Sequence, residues 1–222
     1  MSNLTKRCVF VTGATGYLGR PLVERLLERG HTVRALVRAT SASRLPPGAE
    51  PVIGDALDGP GYRAKVQRGD VFVHLVGVAH PSPGKAALFL SIDLASVVAA
   101  TEAARTAGAS RFVYVSVAQQ APILRDYIAA RAAGETKVRD TGLPASILRP
   151  WYVLGPGHRW PCFLAPFYGI AWLLPQAREA ARRLGLIRRS TMIRALVHSV
   201  ESERPGLEVL GVPALRAVAR AD

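Results

Sequence analysis

A chain of 222 residues, 49% of them apolar, can bury one domain of generous size, or one domain with a small appendage, and no low-complexity tract argues for disorder. Two cysteines exclude a disulfide framework, and the formal charge of +13 is mostly arginine spread along the chain, without the stripe or block that marks a nucleic-acid binder. No signal-peptide pattern opens the chain and its longest apolar run, Phe163 to Leu174, is too short to span a bilayer, so a protein of the reducing cytoplasm is expected, with no nucleic-acid partner, no integral membrane segment and no metal site.

Cys8 to Thr12 reads as a short buried strand that runs into Gly13, Gly16 and Gly19, spaced G-x-x-G-x-x-G, and then into a helix from about Tyr17. One glycine permits a tight turn, one lets the backbone approach a pyrophosphate, and one lets helix and strand pack closely. The helix N-terminus adds free N–H groups and a partial positive charge. Nucleotide binding is the expectation; a glycine turn that only closes a βα unit is the alternative. Leu18, Leu22, Val23, Leu26 and Leu27 recur at helical spacing and Gly30 ends the helix. His31 to Val37 alternates as a second strand, completing the first half of a doubly wound parallel sheet.

The end of that second strand separates the two nicotinamide dinucleotides. An acidic residue about 20 positions beyond the glycines binds a ribose 2′-OH, whereas arginine accommodates a 2′-phosphate. No Asp or Glu stands between Glu28 and Glu50; Arg34, Arg38, Thr40, Ser41, Ser43 and Arg44 do. A guanidinium beside hydroxyls suits a phosphate dianion, so NADP(H) is preferred, with NAD(H) possible, and Arg38 is the leading contact. Arg34 and Arg44 fit an ordinary solvated basic loop more readily. Asp55 follows a third strand, Pro51 to Gly54, where its carboxylate accepts from an adenine amino group, caps a helix from near Leu57 to Arg68, or does both.

Val71 to Val76 is a nearly continuous apolar strand, as in a parallel sheet covered on both faces, and Gly77 ends it at the carboxyl edge where such folds bind ligands. His74 reads as a satisfied core histidine. A long helix, Leu88 to Gly108, either packs on its own sheet or pairs with a second copy in a homodimer. The strand Arg111 to Ser116 places Ser116 at its carboxyl end. The next helix, Ile123 to Thr141, carries Tyr127 and Arg131 one turn apart on one face. Ala145 to Leu148 is a sixth strand. Beyond Pro156, the sequence suggests a loop at 157–161, an apolar helix at 163–174, a helix from Ser190 to Val200 and a last strand from Leu207 to Leu210. Trp151, Trp160 and Trp172 suit the wall of an apolar pocket or simple core packing.

Thr12-Gly13-Ala14-Thr15-Gly16-Tyr17-Leu18-Gly19, Gly54-Asp55, Val73-His74-Leu75-Val76-Gly77, Val113-Tyr114-Val115-Ser116, Tyr127-x-x-x-Arg131 and Leu148-Arg149-Pro150 occur in this order. Over roughly residues 7–158 the chain resembles an atypical short-chain dehydrogenase/reductase, of the branch with NmrA-like and complex I 39-kDa-subunit-like proteins. The resemblance implies a Rossmann core over residues 1–155 and a small substrate-covering region over 156–222. It further implies cofactor contacts from Gly13, Thr15, Gly16, Tyr17, Leu18, Arg38, Asp55, Ala56, Val76, Gly77 and Pro150, and catalysis by Ser116, Tyr127 and Arg131. In that family a lysine stands four residues after the tyrosine, favours its phenolate and holds the nicotinamide ribose. Arg131 keeps the positive field but cannot relay a proton. Ser116 precedes Tyr127 by about eleven residues, a tight spacing for that site. Tyr127 is a proton donor or a half-buried helix residue over a bound cofactor. The implied activity is hydride transfer to or from a carbonyl or alcohol of a small, partly apolar substrate. A non-catalytic NAD(P)H-binding regulator or assembly protein, and an epimerase or dehydratase, are the other classes.

Overall fold

The computed structural model describes residues 5–119, 124–157 and 184–221. Strands β1 (Cys8–Thr12), β2 (Thr32–Val37), β3 (Glu50–Ile53), β4 (Val71–His74), β5 (Arg111–Val115), β6 (Ala145–Arg149) and β9 (Leu207–Gly211) form one seven-stranded sheet in the order β3-β2-β1-β4-β5-β6-β9. Every pairing in it is parallel. Such a sheet needs both faces covered, which is why β1, β4 and β5 read as apolar runs. Strand order reverses between β1 and β4, the switch point where ligands enter folds of this kind.

One face is covered by α1 (Gly19–Glu28), α6 (Arg189–Glu201) and α7 (Val212–Ala221), through Leu22, Val23, Leu26, Met192, Leu196, Val200 and Leu215. The other is covered by α2 (Gly59–Arg63), α4 (Ala95–Ala107) and α5 (Arg125–Asp140), through Tyr62, Val97, Ala100, Ala104 and Val138. Ahead of α4 run a single turn α3 (Ala86–Leu88) and a π-helical turn, Phe89–Leu94. By length and composition the helical run Pro83–Ala107, which contains an 18-residue window of mean hydropathy 1.6, could cross a bilayer. Here Val97, Ala100, Ala103 and Ala104 bury one side of it on the sheet, while Leu90 and Val98 are exposed on the other.

Several expectations change. Cys8 is exposed, because only the four residues after it lie between the helical layers. The first helix starts at Gly19, since Tyr17 and Leu18 still belong to the glycine turn. Helix α2 is confined to Gly59–Arg63; two glycines and Pro60 make it a poor helix, and Asp58, not Asp55, caps it by accepting from Gly61 N–H at 3.1 Å. The chain after residue 156 does more than lie over a core. Strand β9 pairs with β6 and extends the sheet, α6 and α7 pack on it, and β8 (Leu186–Arg188) pairs in parallel with β7 (Tyr152–Leu154). The expected loop at 157–161 beyond Gly157, the apolar helix at 163–174, and Cys162, Trp160 and Trp172 lie outside the described residues.

Candidate functional site

The glycine turn takes the shape its spacing requires. Gly13 has φ +78°, and a Cβ there would sit 2.9 Å from Leu75 C and 3.1 Å from Val76 N, so the turn presses on the end of β4. A Cβ on Gly19 would collide with Gly13 O, and one on Gly16 would sit 3.2 Å from it. Leu18 gives α1 no side-chain cap and its first turn holds no acidic residue. The result is a bare cradle at a helix N-terminus, the arrangement that accepts phosphate oxygens. Tyr17 donates to Val153 O at 3.4 Å, with the Arg189 guanidinium 5.3 Å over its ring. Beside it a cleft of about 350 Å³ is lined by Pro21, Leu154, Gly155, Pro156, Arg189, Ser190 and Ile193.

At the end of β2, Arg34 and Arg38 part company. Arg34 is buried beside Phe10, donates to Lys65 O at 2.5 Å and pairs with Asp70, so it belongs to the core. Arg38 is exposed, and its guanidinium makes no hydrogen bond or ion pair among the described residues. Arg44 donates to the Ser41 hydroxyl at 2.6 Å in the 3-10 turn Ala39–Arg44 that follows. Asp55, also exposed, accepts from Leu57 N–H at 2.9 Å and so shapes its own turn, beside the half-buried Ala56.

Tyr127 and Arg131 do share one face of α5. The Arg131 guanidinium lies 5.3 Å from the Tyr127 ring centre and 5.9 Å from that of Tyr114. It is nonetheless a buried cation engaged through both terminal nitrogens: Nη2 meets Asp93 Oδ1 at 2.5 Å, and Nη1 donates to Val115 O at 3.1 Å and Val76 O at 3.4 Å. Burial opposes its charge, but the facing Tyr127, Tyr114 and Asp93 groups outweigh that and raise its pKa. The same burial holds the Asp93 carboxyl above the ordinary carboxylate range, although Arg131 and the Val78 N–H pull it down. Phe89 packs on Tyr127, ring centres 5.1 Å apart.

Ser116 stands at the end of β5, yet its hydroxyl donates to Glu135 Oε1 at 2.7 Å. Glu135 is bound in turn by Arg149, at 2.8 Å through Nε and 2.5 Å through Nη2. No hydrogen bond joins Ser116 to Tyr127 among the described residues. Pro150 O accepts from Ala118 N–H at 2.9 Å, tying the loop after β6 to the loop after β5. His74 is a core residue: Nδ1 lies 2.8 Å from Thr12 Oγ1 and Nε2 lies 3.3 Å from Ser96 Oγ. Burial, helped by the nearby Arg131 charge, pushes its imidazole down to about 3. Trp151 meets Tyr152 edge-on.

Asp93 and Glu135 are the functional candidates that sequence reasoning missed. Glu135 sits four residues beyond Arg131, hence on the same helical face. Asp93 is the one carboxylate in the apolar stretch from Phe89 to Ala100. Both signals were present. Neither named a partner.

Residues 13–157 match the family model described as NAD(P)H-binding. A ceramide reductase of Caulobacter vibrioides is 36% identical over 160 residues, 71% of this chain and 50% of that protein. A 3-diazoavenalumate denitrifying reductase of a Streptomyces species is 35% identical over 175 residues, 67% of this chain and 57% of that protein. The chain thus spans about half the length of these curated relatives. Among solved structures, MoeE5 in complex with UDP-glucose and NAD superposes with a TM-score of 0.70 at 21% identity, over 96% of this chain and 81% of that one. A UDP-galactose 4-epimerase gives 0.69 at 19% identity, over 96% and 92%. At those identities the likeness is one of fold.

Proposed function

The chain belongs to the NAD(P)H-binding family, within the atypical short-chain dehydrogenases/reductases, and from that premise we propose that it is an NADP(H)-dependent oxidoreductase. Its substrate would be a small, partly apolar carbonyl or alcohol. One observation carries the reading: the Tyr127–Arg131 pair and the Gly13 turn meet the same strand end, Leu75 to Gly77.

The residues fit the dinucleotide. Gly13, Thr15, Gly16 and Leu18, at the uncapped start of α1, would hold the pyrophosphate, with Tyr17 flanking them. Arg38, whose guanidinium has no protein partner among the described residues, would take the 2′-phosphate beside Ser41 and Arg44. Asp55 and Ala56 would border the adenine, and Val76, Gly77 and Pro150 the rest of the cofactor. When bound, the nicotinamide supplies or accepts the hydride. Tyr127 exchanges a proton with the substrate oxygen, and Arg131 keeps a fixed positive charge beneath its ring without relaying protons. Ser116, its own proton committed to Glu135, accepts from a substrate hydroxyl as placed; donation to a carbonyl requires it to rotate off Glu135.

Those same engagements favour a second reading, in which the chain binds NAD(P)H and regulates or assembles with another protein. The test begins with NADPH and NADH titrations by calorimetry and tryptophan quenching. Arg38→Ala should weaken NADPH by about tenfold or more, the worth of a charged hydrogen bond, and leave NADH unchanged. Equal affinity for the two nucleotides would remove Arg38 and its loop as the selector. With aldehydes, ketones and quinones supplied, consumption of NADPH that Tyr127→Phe abolishes supports the enzyme; binding without consumption supports the second reading.

A further inference from the structure

Ion pairs as buried as Asp93–Arg131 add little net stability over an apolar pair of the same size, because desolvation cancels much of the attraction. What this pair supplies is geometry. Asp93 Oδ2 accepts from Val78 N–H at 3.0 Å, and Arg131 Nη1 donates to Val76 O at 3.4 Å. The backbone is therefore gripped on both sides of Gly77, by the anion after it and the cation before it. A Cβ on Gly77 would collide with Arg131 Nη2 and sit 3.1 Å from Asp93 Oδ1. Gly13 in turn presses on Leu75 and Val76, where a Cβ would come within 2.9 Å of the Leu75 backbone. One strand end is squeezed between a phosphate-type turn and an ion pair, through a glycine on each side.

The π-helical turn sets the anion in place. Phe89 and Asp93, four apart on that turn, meet Tyr127 and Arg131, four apart on α5. Such turns are rare and frequently lie at functional sites. Arg131 also holds Val115 O at 3.1 Å, so the pair spans the ends of β4 and β5 together.

We propose that Asp93 is a positioning residue for the nucleotide: with Arg131 it clamps Val76–Val78 against the Gly13 turn, a role that rests on the nucleotide-binding reading above. Asp93→Asn keeps an acceptor for Val78 N–H and removes the charge, whereas Asp93→Ala removes both. Dissociation constants for NADPH and NADH are measured by calorimetry well below each variant's unfolding midpoint, and the midpoints are recorded separately. Both nucleotides should weaken alike, by about tenfold for Asn and further for Ala, unlike the NADPH-only effect of Arg38→Ala. Wild-type affinity in folded Asp93→Asn and Asp93→Ala overturns the proposal even if the midpoints fall, because that is the pattern of a purely structural pair. Should neither variant fold, Gly77→Ala, whose methyl is aimed at the guanidinium, is compared with Val78→Ala, which keeps the N–H that Asp93 holds: the first should weaken both nucleotides and the second neither, and unchanged binding in Gly77→Ala overturns the clamp. Wild-type protein that binds neither nucleotide would overturn the nucleotide reading and this inference with it.

Discussion

Glu135 gathers the charges behind the candidate site, and its removal has a calculable cost. Its side chain is 2% exposed and accepts from the Ser116 hydroxyl and from Arg149 twice, with Arg139 at 3.4 Å. Glu135→Ala leaves the Arg149 cation and the Ser116 hydroxyl without their acceptor. Stripping one partner from a buried pair costs about 3–5 kcal/mol. The Arg149 side chain is 27% exposed, so water recovers part of that and the lower end, about 3 kcal/mol, applies. In a chain of this length each kcal/mol moves the unfolding midpoint by roughly 2–4 °C, so a fall of about 6–12 °C is expected at pH 7. Glu135→Gln keeps an acceptor for Ser116 and should lose about half as much. The pH dependence adds a sign. Burial raises the Glu135 pKa, but the Arg149 and Ser116 hydrogen bonds outweigh it and hold the carboxyl below its ordinary value of 4.5. A depressed folded-state pKa contributes stability that is complete above the unfolded value and lost as pH falls through the folded one. Wild type and Glu135→Gln should therefore converge in acid. Circular-dichroism melts from pH 7 to pH 3 test both points. A fall below about 2 °C for Glu135→Ala, or a gap that widens in acid, would refute the reasoning.

His74 titrates at about 3 in the fold against 6.5 free, so its neutral form contributes stability above about pH 6.5 that is lost as pH falls toward 3. The slope is about 1.4 kcal/mol per pH unit for one proton. His74→Gln should flatten the midpoint between pH 6.5 and 4.5, and an unchanged slope would remove His74 as its source. Gly134→Ala should lower the midpoint despite the better helix residue, because its methyl would lie 2.6 Å from the Tyr114 hydroxyl and 3.0 Å from Val97 Cγ1. Gly84→Ala, with nothing within 4 Å, is its control; equal midpoints for the two would show that α5 shifts freely.

Much of the fold was legible because its signals are local. Val71 to Val76 and Arg111 to Ser116 read as strands, and the structure keeps Val71–His74 and Arg111–Val115 of them, buried between the two helical layers. Leu22, Val23 and Leu26 read as a helix face since they return every three to four residues. Tyr127 and Arg131 share a face by the same rule. Cys8 misled because it is the first residue of an otherwise apolar strand, just outside the layer that buries the rest. Leu207 to Leu210 read as a strand, but nothing local said that it would join the main sheet beside β6.

By itself the sequence determined what periodicity and backbone freedom can encode: a glycine turn between strand and helix, alternating strands and helices, and a tyrosine one turn from an arginine. The tertiary structure alone decided whom the charges meet. Arg29 closes on Glu201 across 172 positions, Arg34 on Asp70 across 36, and Ser116 on Glu135 across 19. Arg131 faces Asp93 rather than open space. A buried charge takes the partner that packing carries to it, and that distance is set by the layers of the sheet and helices rather than by spacing along the chain.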